Sequence, residues 1–259
     1  MNHSEHSIRQ NTAEEQTPKA PEANMAETGT SDTSMSDTGM YKNSSHGNED
    51  PLTSVAWALS LLMHPLSQPS LMFGLVLLFA PDLVLAGNLE IRWQLMALLF
   101  LATFALPALV VLTLRLFGNI PSLTMTRRED RRIPFLFVSA IYLIITLFFY
   151  KVFPQIPFII LGLMSITACL LVLTAVSLFW KISAHGIAAG GVTGFMAGLV
   201  VHYHNPELIY PLTLLLILSG AVMWARLHLN HHTPPEVWAG WFTGFSICTG
   251  MVLLLYPLL

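Results

Sequence analysis

Between residues 51 and 258 the chain passes through a series of apolar runs separated by short polar breaks. Several of these runs reach the length of about 20 residues that a helix needs to cross the hydrocarbon of a bilayer. Lys, Arg, Asp and Glu make up only 10% of the chain, against about 25% in a soluble domain. So little charge cannot cover the surface of a soluble protein this size. A soluble enzyme, a secreted disulfide scaffold and a nucleic-acid binder are therefore excluded. Open sheets cannot sit in hydrocarbon, and no alternating barrel pattern is present. The fold expected is all-α: a polytopic transmembrane bundle of six to seven spans.

The runs place spans at about Leu66–Ala86, Trp93–Leu114, Phe135–Phe153, Phe158–Trp180, Gly186–Val201, Leu208–Trp224 and Val237–Leu255. An earlier apolar helix, Leu52–Met63, stops at His64-Pro65. It is too short to span and is expected at the interface. The fifth span is rich in small residues, among them Gly186, Gly190, Gly191, Gly194 and Gly198. Small residues let helix backbones approach closely in lipid, so this span is expected at the centre of the bundle.

Residues 1–50 are a different material. They contain no Leu, Val, Phe or Trp and carry nine acids against three bases. Such a segment lacks the apolar surface needed to offset the entropy of ordering, and it reads as a disordered tail. No apolar run follows the start Met, so it does not read as a signal peptide. The transmembrane domain is expected over residues 51–258. Cys169 and Cys248 each lie in an apolar run without metal-ligand spacing, and read as small packing groups.

Seven spans put Arg115, Arg127, Arg128, Arg131, Arg132, Lys181 and Arg226 on one membrane face, with His185, His228, His231, His232 and Glu236. The other face receives only Arg92 and Lys151 as bases. The first group arrives on three loops: Thr126–Pro134, Lys181–His185 and Ala225–Glu236. Guanidiniums offer a rigid, permanently charged fork for phosphate oxygens. Imidazoles can act as nucleophile or general acid near neutral pH. Phosphoryl transfer needs mainly positioning and charge stabilisation, which this set can supply without a metal.

The third loop carries Arg226, then His232 after five residues, then Glu236 after three more. The second carries Ile182-Ser183-Ala184-His185, and the first ends Arg132-Ile133-Pro134. These motifs, in this order, resemble the type 2 phosphatidic acid phosphatase superfamily, which includes bacterial acid phosphatases and vanadium haloperoxidases. The resemblance covers about residues 93–258. It implies an integral membrane phosphatase acting on a lipid phosphate or pyrophosphate through a phosphohistidine. His232 would be the nucleophile, Glu236 would orient it, and His185 would protonate the leaving oxygen. Arg226, Ser183, Arg127 and Arg131 would hold the phosphate. No cofactor or metal is implied, and the expected partners are membrane lipids, not nucleic acid. The expected location is the bacterial inner membrane. Three departures stand out: Glu236 replaces the family's Asp, Ala184 replaces its Gly, and the first motif lacks the family's Lys, six residues, Arg-Pro register.

Structural alternatives stand beside these roles. Thr233-Pro234-Pro235-Glu236 is also a good helix start, with Glu236 closing a capping box. Arg226 and Lys181 could be snorkelling anchors, and the first loop a positive-inside segment. Two other functions fit parts of the sequence. One is an inactive phosphatase-like protein that binds a phospholipid head group. The other is a membrane di-iron desaturase, because His228-x-x-His231-His232 matches one of that group's boxes. Charge counting places the motif face in the cytoplasm, whereas the bacterial family works on the outer face.

Overall fold

The computed structural model describes residues 50–84, 88–118 and 129–255. The disordered-tail expectation lies outside this set, apart from Asp50, as do Arg127 and Arg128. The described residues are helical, with no strand.

Among the described residues, nine α-helices are connected in the order α1 (Pro51–Leu62), α2 (Gln68–Phe79), α3 (Leu89–Phe100), α4 (Leu106–Leu116), α5 (Glu129–Val152), α6 (Pro157–Ser177), α7 (Ala184–Tyr203), α8 (Ile209–His228) and α9 (Pro234–Leu255). A π-turn, Leu101–Ala105, joins α3 and α4 into one run. Local chemistry sets several helix starts. Asp50 accepts the Leu52 N–H ahead of Pro51, Asn88 accepts the Glu90 N–H, and Ser183 accepts the Gly186 N–H. Side-chain oxygens in these positions satisfy donors the helix cannot.

Six of the described helical segments are long and apolar enough to cross a membrane: Leu89–Leu116, Glu129–Val152, Pro157–Ser177, Ala184–Tyr203, Pro206–His228 and Pro234–Leu255. Leu109, Leu112, Leu143, Ile144, Leu147, Leu216 and Ile217 face outward from them, as lipid-facing side chains do. The chain is an integral membrane protein.

The stretch expected to span as Leu66–Ala86 behaves differently. Its helix, α2, has 12 residues and is therefore about 18 Å long, short of the roughly 30 Å of hydrocarbon. Ala80 leaves helical geometry at φ −142° and Pro81 follows, so the helix cannot continue. Most of α2 is buried by α3, α6 and α7. It begins beside the polar cavity described below, and its far end meets Tyr203, Asn205 and Leu208 at the opposite end of the bundle. It is a short internal helix rather than a membrane span.

Helix α7 is the most buried of the six long segments, and its glycines explain how. A Cβ on Gly186 would lie 2.7 Å from the Val237 carbonyl, and those on Gly190 and Gly194 would collide with the Trp241 and Phe245 carbonyls. From the other side, a Cβ on Gly240 would lie 2.7 Å from the Ser183 carbonyl, and one on Gly244 would meet that of Ile187. The two backbones touch along a reciprocal glycine seam, the close approach that small residues permit in membranes. Hydroxyl pairs join α5 to α6: Ser139 with Thr174 and Thr146 with Thr167, each at 2.8 Å.

Candidate functional site

The end of α8 is shaped by its backbone. Asn230 adopts φ 52°, in the left-handed region. The Asn230 N–H donates to the Leu227 carbonyl and the His231 N–H to that of Arg226. This is the paired closure of a Schellman turn, with Asn in the position that favours left-handed geometry. The turn stops the helix just past Arg226 and delivers His232 to the start of α9.

His232 is buried, and its Nδ1 lies 2.8 Å from Glu236 Oε2. The same oxygen accepts the Thr233 N–H at 3.2 Å. One carboxylate thus orients the imidazole and closes the first turn of α9, so the capping and orienting roles coexist. A carboxylate can only accept, so the neutral His232 ring carries its proton on Nδ1. Its Nε2 keeps a free lone pair. Burial lowers the proton affinity of His232. The hydrogen bond to Glu236 raises it, and the charges of Arg131 and Arg226 lower it again, leaving a net decrease. The ring is neutral at neutral pH, as a nucleophile requires.

His232 opens onto a cavity of about 640 Å³. Its polar end is formed by His64, Gln68, Arg131, His185, Arg226 and His232, and its deeper walls are apolar. Cys169 and Cys248 meet at that deep end with sulfurs 3.6 Å apart, both as free thiols.

Arg131 projects from the first turn of α5 and Arg226 from the last turn of α8, with 7% and 9% of their surface exposed. Two nearly buried guanidiniums share one cavity, and the carboxylates of Glu236 and Asp130 act on Arg131. Arg226 Nε is buried with no hydrogen-bond partner. Buried donors are normally satisfied, so this wall is suited to an anion that can accept from it.

The other predicted residues are distributed unevenly. Ser183 is fully buried, and its Oγ caps α7 by accepting the Gly186 N–H at 3.2 Å. It is not among the residues lining the cavity. Its backbone N–H donates to the Glu236 carbonyl at 3.1 Å and so joins the second motif to the third. His185 lines the cavity, and its Nε2 lies 3.1 Å from the Ser60 carbonyl, so the neutral ring holds its proton there. Arg132 turns outward and donates to the Leu178 carbonyl at 3.5 Å, near the C-terminal end of α6. Arg127 lies outside the described residues.

Helix α1 supplies the part of the site that the motifs did not indicate. It packs along α8 and, with the second residue after its end, presents Thr53, Trp57, Ser60 and His64, spaced as one helical stripe. Thr53 Oγ1 lies 3.3 Å from His228 Nε2, the Trp57 ring meets His231 edge-on at 5.3 Å, and Ser60 bonds His185. The His64 ring stands edge-on to that of His185 at 5.9 Å. The sequence signal for His64 was the His-Pro break itself. His228, His231 and His232 therefore engage Thr53, Trp57 and Glu236 respectively. Among the described residues, no three His, Cys, Asp or Glu side chains are grouped to hold a metal.

No family model, curated protein or solved structure matches the chain.

Proposed function

We propose that this protein is an integral membrane phosphatase that hydrolyses a lipid phosphate or pyrophosphate. The observation carrying the reading is the His232–Glu236 pair, at 2.8 Å, opening onto a cavity walled by Arg131, Arg226 and His185. In this reading His232 Nε2 attacks phosphorus and forms a P–N bond as the bond to the leaving oxygen breaks. Glu236 holds Nδ1–H and stabilises the charge that develops on the ring. Arg131 and Arg226 hold the phosphoryl oxygens, and His185, entering the cycle protonated, gives that proton to the leaving oxygen. Water, giving a proton back to His185, then attacks phosphorus as the P–N bond breaks, releasing phosphate and restoring both histidines. The apolar depth of the cavity gives the lipid portion a place beside the head group. The resemblance of the motifs supports a bacterial inner membrane as the location.

A second reading is a phosphatase-like protein that binds a phospholipid head group without turnover. Two observations favour it: the Nε2 proton of His185 is engaged by Ser60, and Ser183 serves as a buried cap.

Phosphate release by the purified protein separates the two. Undecaprenyl pyrophosphate, phosphatidic acid and phosphatidylglycerol phosphate are suitable substrates. The phosphatase reading expects turnover of at least one of them and its loss in His232→Ala. Full activity in His232→Ala would sink the mechanism. Specific lipid binding without turnover in both proteins would favour the second reading. Thiol labelling of Asn230→Cys in intact cells would report which face carries the site.

A further inference from the structure

The polar end of the cavity contains one more imidazole than the phosphatase mechanism uses. His64 lies between α1 and α2, held outside both helices by Pro65. It lines the cavity together with Arg131, His185, Arg226 and His232.

Its two nitrogens are not equivalent. The Leu66 backbone N–H donates to His64 Nδ1 at 3.3 Å. An amide N–H can only donate, so Nδ1 must accept and the neutral ring carries its proton on Nε2. His185 has the contrasting arrangement, with its Nε2 proton directed at the Ser60 carbonyl. Of the two neighbouring rings, His64 is therefore the one whose N–H is not already given to the backbone. His64 is also exposed and lines the cavity, so a ligand there can reach it.

We infer that His64 is a further phosphate-contacting residue, its Nε2–H donating to a phosphoryl oxygen held by Arg131 and Arg226. The inference rests on the lipid-phosphate reading above. It gives the short helix α1 a role in binding: through the Ser60 carbonyl it fixes His185, and through the His-Pro break it supplies a donor of its own. A neutral imidazole suffices, because the arginines provide the charge and His64 provides direction. One hydrogen bond to a charged acceptor corresponds to roughly a tenfold change in affinity or more.

The test titrates the full-length protein in detergent with inorganic phosphate and with orthovanadate, following thermal stabilisation. His64→Phe keeps an aromatic ring beside His185 and removes the donor, whereas His64→Gln keeps an N–H. The half-saturating concentration is expected to rise about tenfold in His64→Phe and distinctly less in His64→Gln. In the wild-type protein, phosphate is also expected to slow carbethoxylation of His64 by diethyl pyrocarbonate, read by mass spectrometry. That second measurement decides the matter if the variants do not fold. Equal titrations for wild type and His64→Phe, or no protection of His64 by a phosphate that stabilises the protein, would overturn the inference while leaving the phosphatase reading standing. A wild-type protein that responds to neither anion would overturn both.

Discussion

The backbone N–H of Ser183 donates to the backbone carbonyl of Glu236 across 3.1 Å. This bond sits at the open end of the α7–α9 glycine seam, so the helix bearing His185 and the helix bearing Glu236 are fixed to each other one turn from the cavity. The seam is therefore part of the site's construction as well as the fold's. Gly244→Ala places a methyl against the Ile187 carbonyl, where backbone must move. A loss of about 1–3 kcal/mol is expected, together with loss of ligand response. A methyl on Gly220 or Gly250 would meet nothing within 4 Å. Alanine there should be neutral or raise stability by up to about 1 kcal/mol, since Gly disfavours helix. Thermal melts of the three variants check the contrast.

Glu236 performs two tasks with one oxygen, and substitutions can separate them. Gln in its place still accepts the Thr233 N–H, so the first turn of α9 should survive. The charge that stabilises a developing imidazolium is lost. Glu236→Gln should therefore melt close to wild type yet lose up to about 10⁴-fold in phosphate release, the scale seen when the orienting carboxylate of a triad is neutralised. Glu236→Ala loses the cap as well, at about 1 kcal/mol. Parallel melts and turnover assays test the split, and a Glu236→Gln enzyme at full rate would assign Glu236 to capping alone.

Three imidazoles outside the spans are expected to make the protein sensitive to acid. Burial lowers the proton affinity of His64, His231 and His232, with Arg226 adding to the effect on each. Each binds a proton less readily folded than unfolded, where the usual value is about 6.5. Above that value neither state holds the extra proton and stability is unaffected. As the pH falls below it, the unfolded state gains protons first and stability declines. The share from His64 is reduced by water, since that ring is exposed. The melting temperature should fall steadily from pH 7 to pH 5, and His232→Gln should flatten the decline.

What could be read from the sequence differs for physical reasons from one residue to the next. The long spans were legible because hydrocarbon demands uninterrupted apolar length, and the centrality of α7 because small residues serve close packing. Leu66–Ala86 had the apolar content of a span, but Pro81 cut its helix short. Ser183 was ambiguous, since a hydroxyl just before a helix is both a possible anion contact and a good cap. His64 was hidden because its partner, His185, and Ser60's bond to that ring span sequence separations of more than a hundred residues. No local period reports such a contact.

The long helical run from Leu89 to Leu116 carries its own test. Pro107 follows the π-turn and has no N–H to return to the preceding turn. The hydroxyl of Tyr142, from α5, donates instead to the Thr103 carbonyl. Thr103 is fully buried, and its own hydroxyl is already engaged by the Leu99 carbonyl and Ser70. Tyr142→Phe keeps the ring that fills this part of the core and removes only the donor. A buried carbonyl left unpaired costs about 1–3 kcal/mol, and the melting temperature should drop accordingly. Because the lost bond joins α5 to the π-turn, hydrogen exchange should rise around Leu101–Ala105 while the α7–α9 seam stays protected. An unchanged melting temperature, with no local increase in exchange, would show that the π-turn is held without Tyr142.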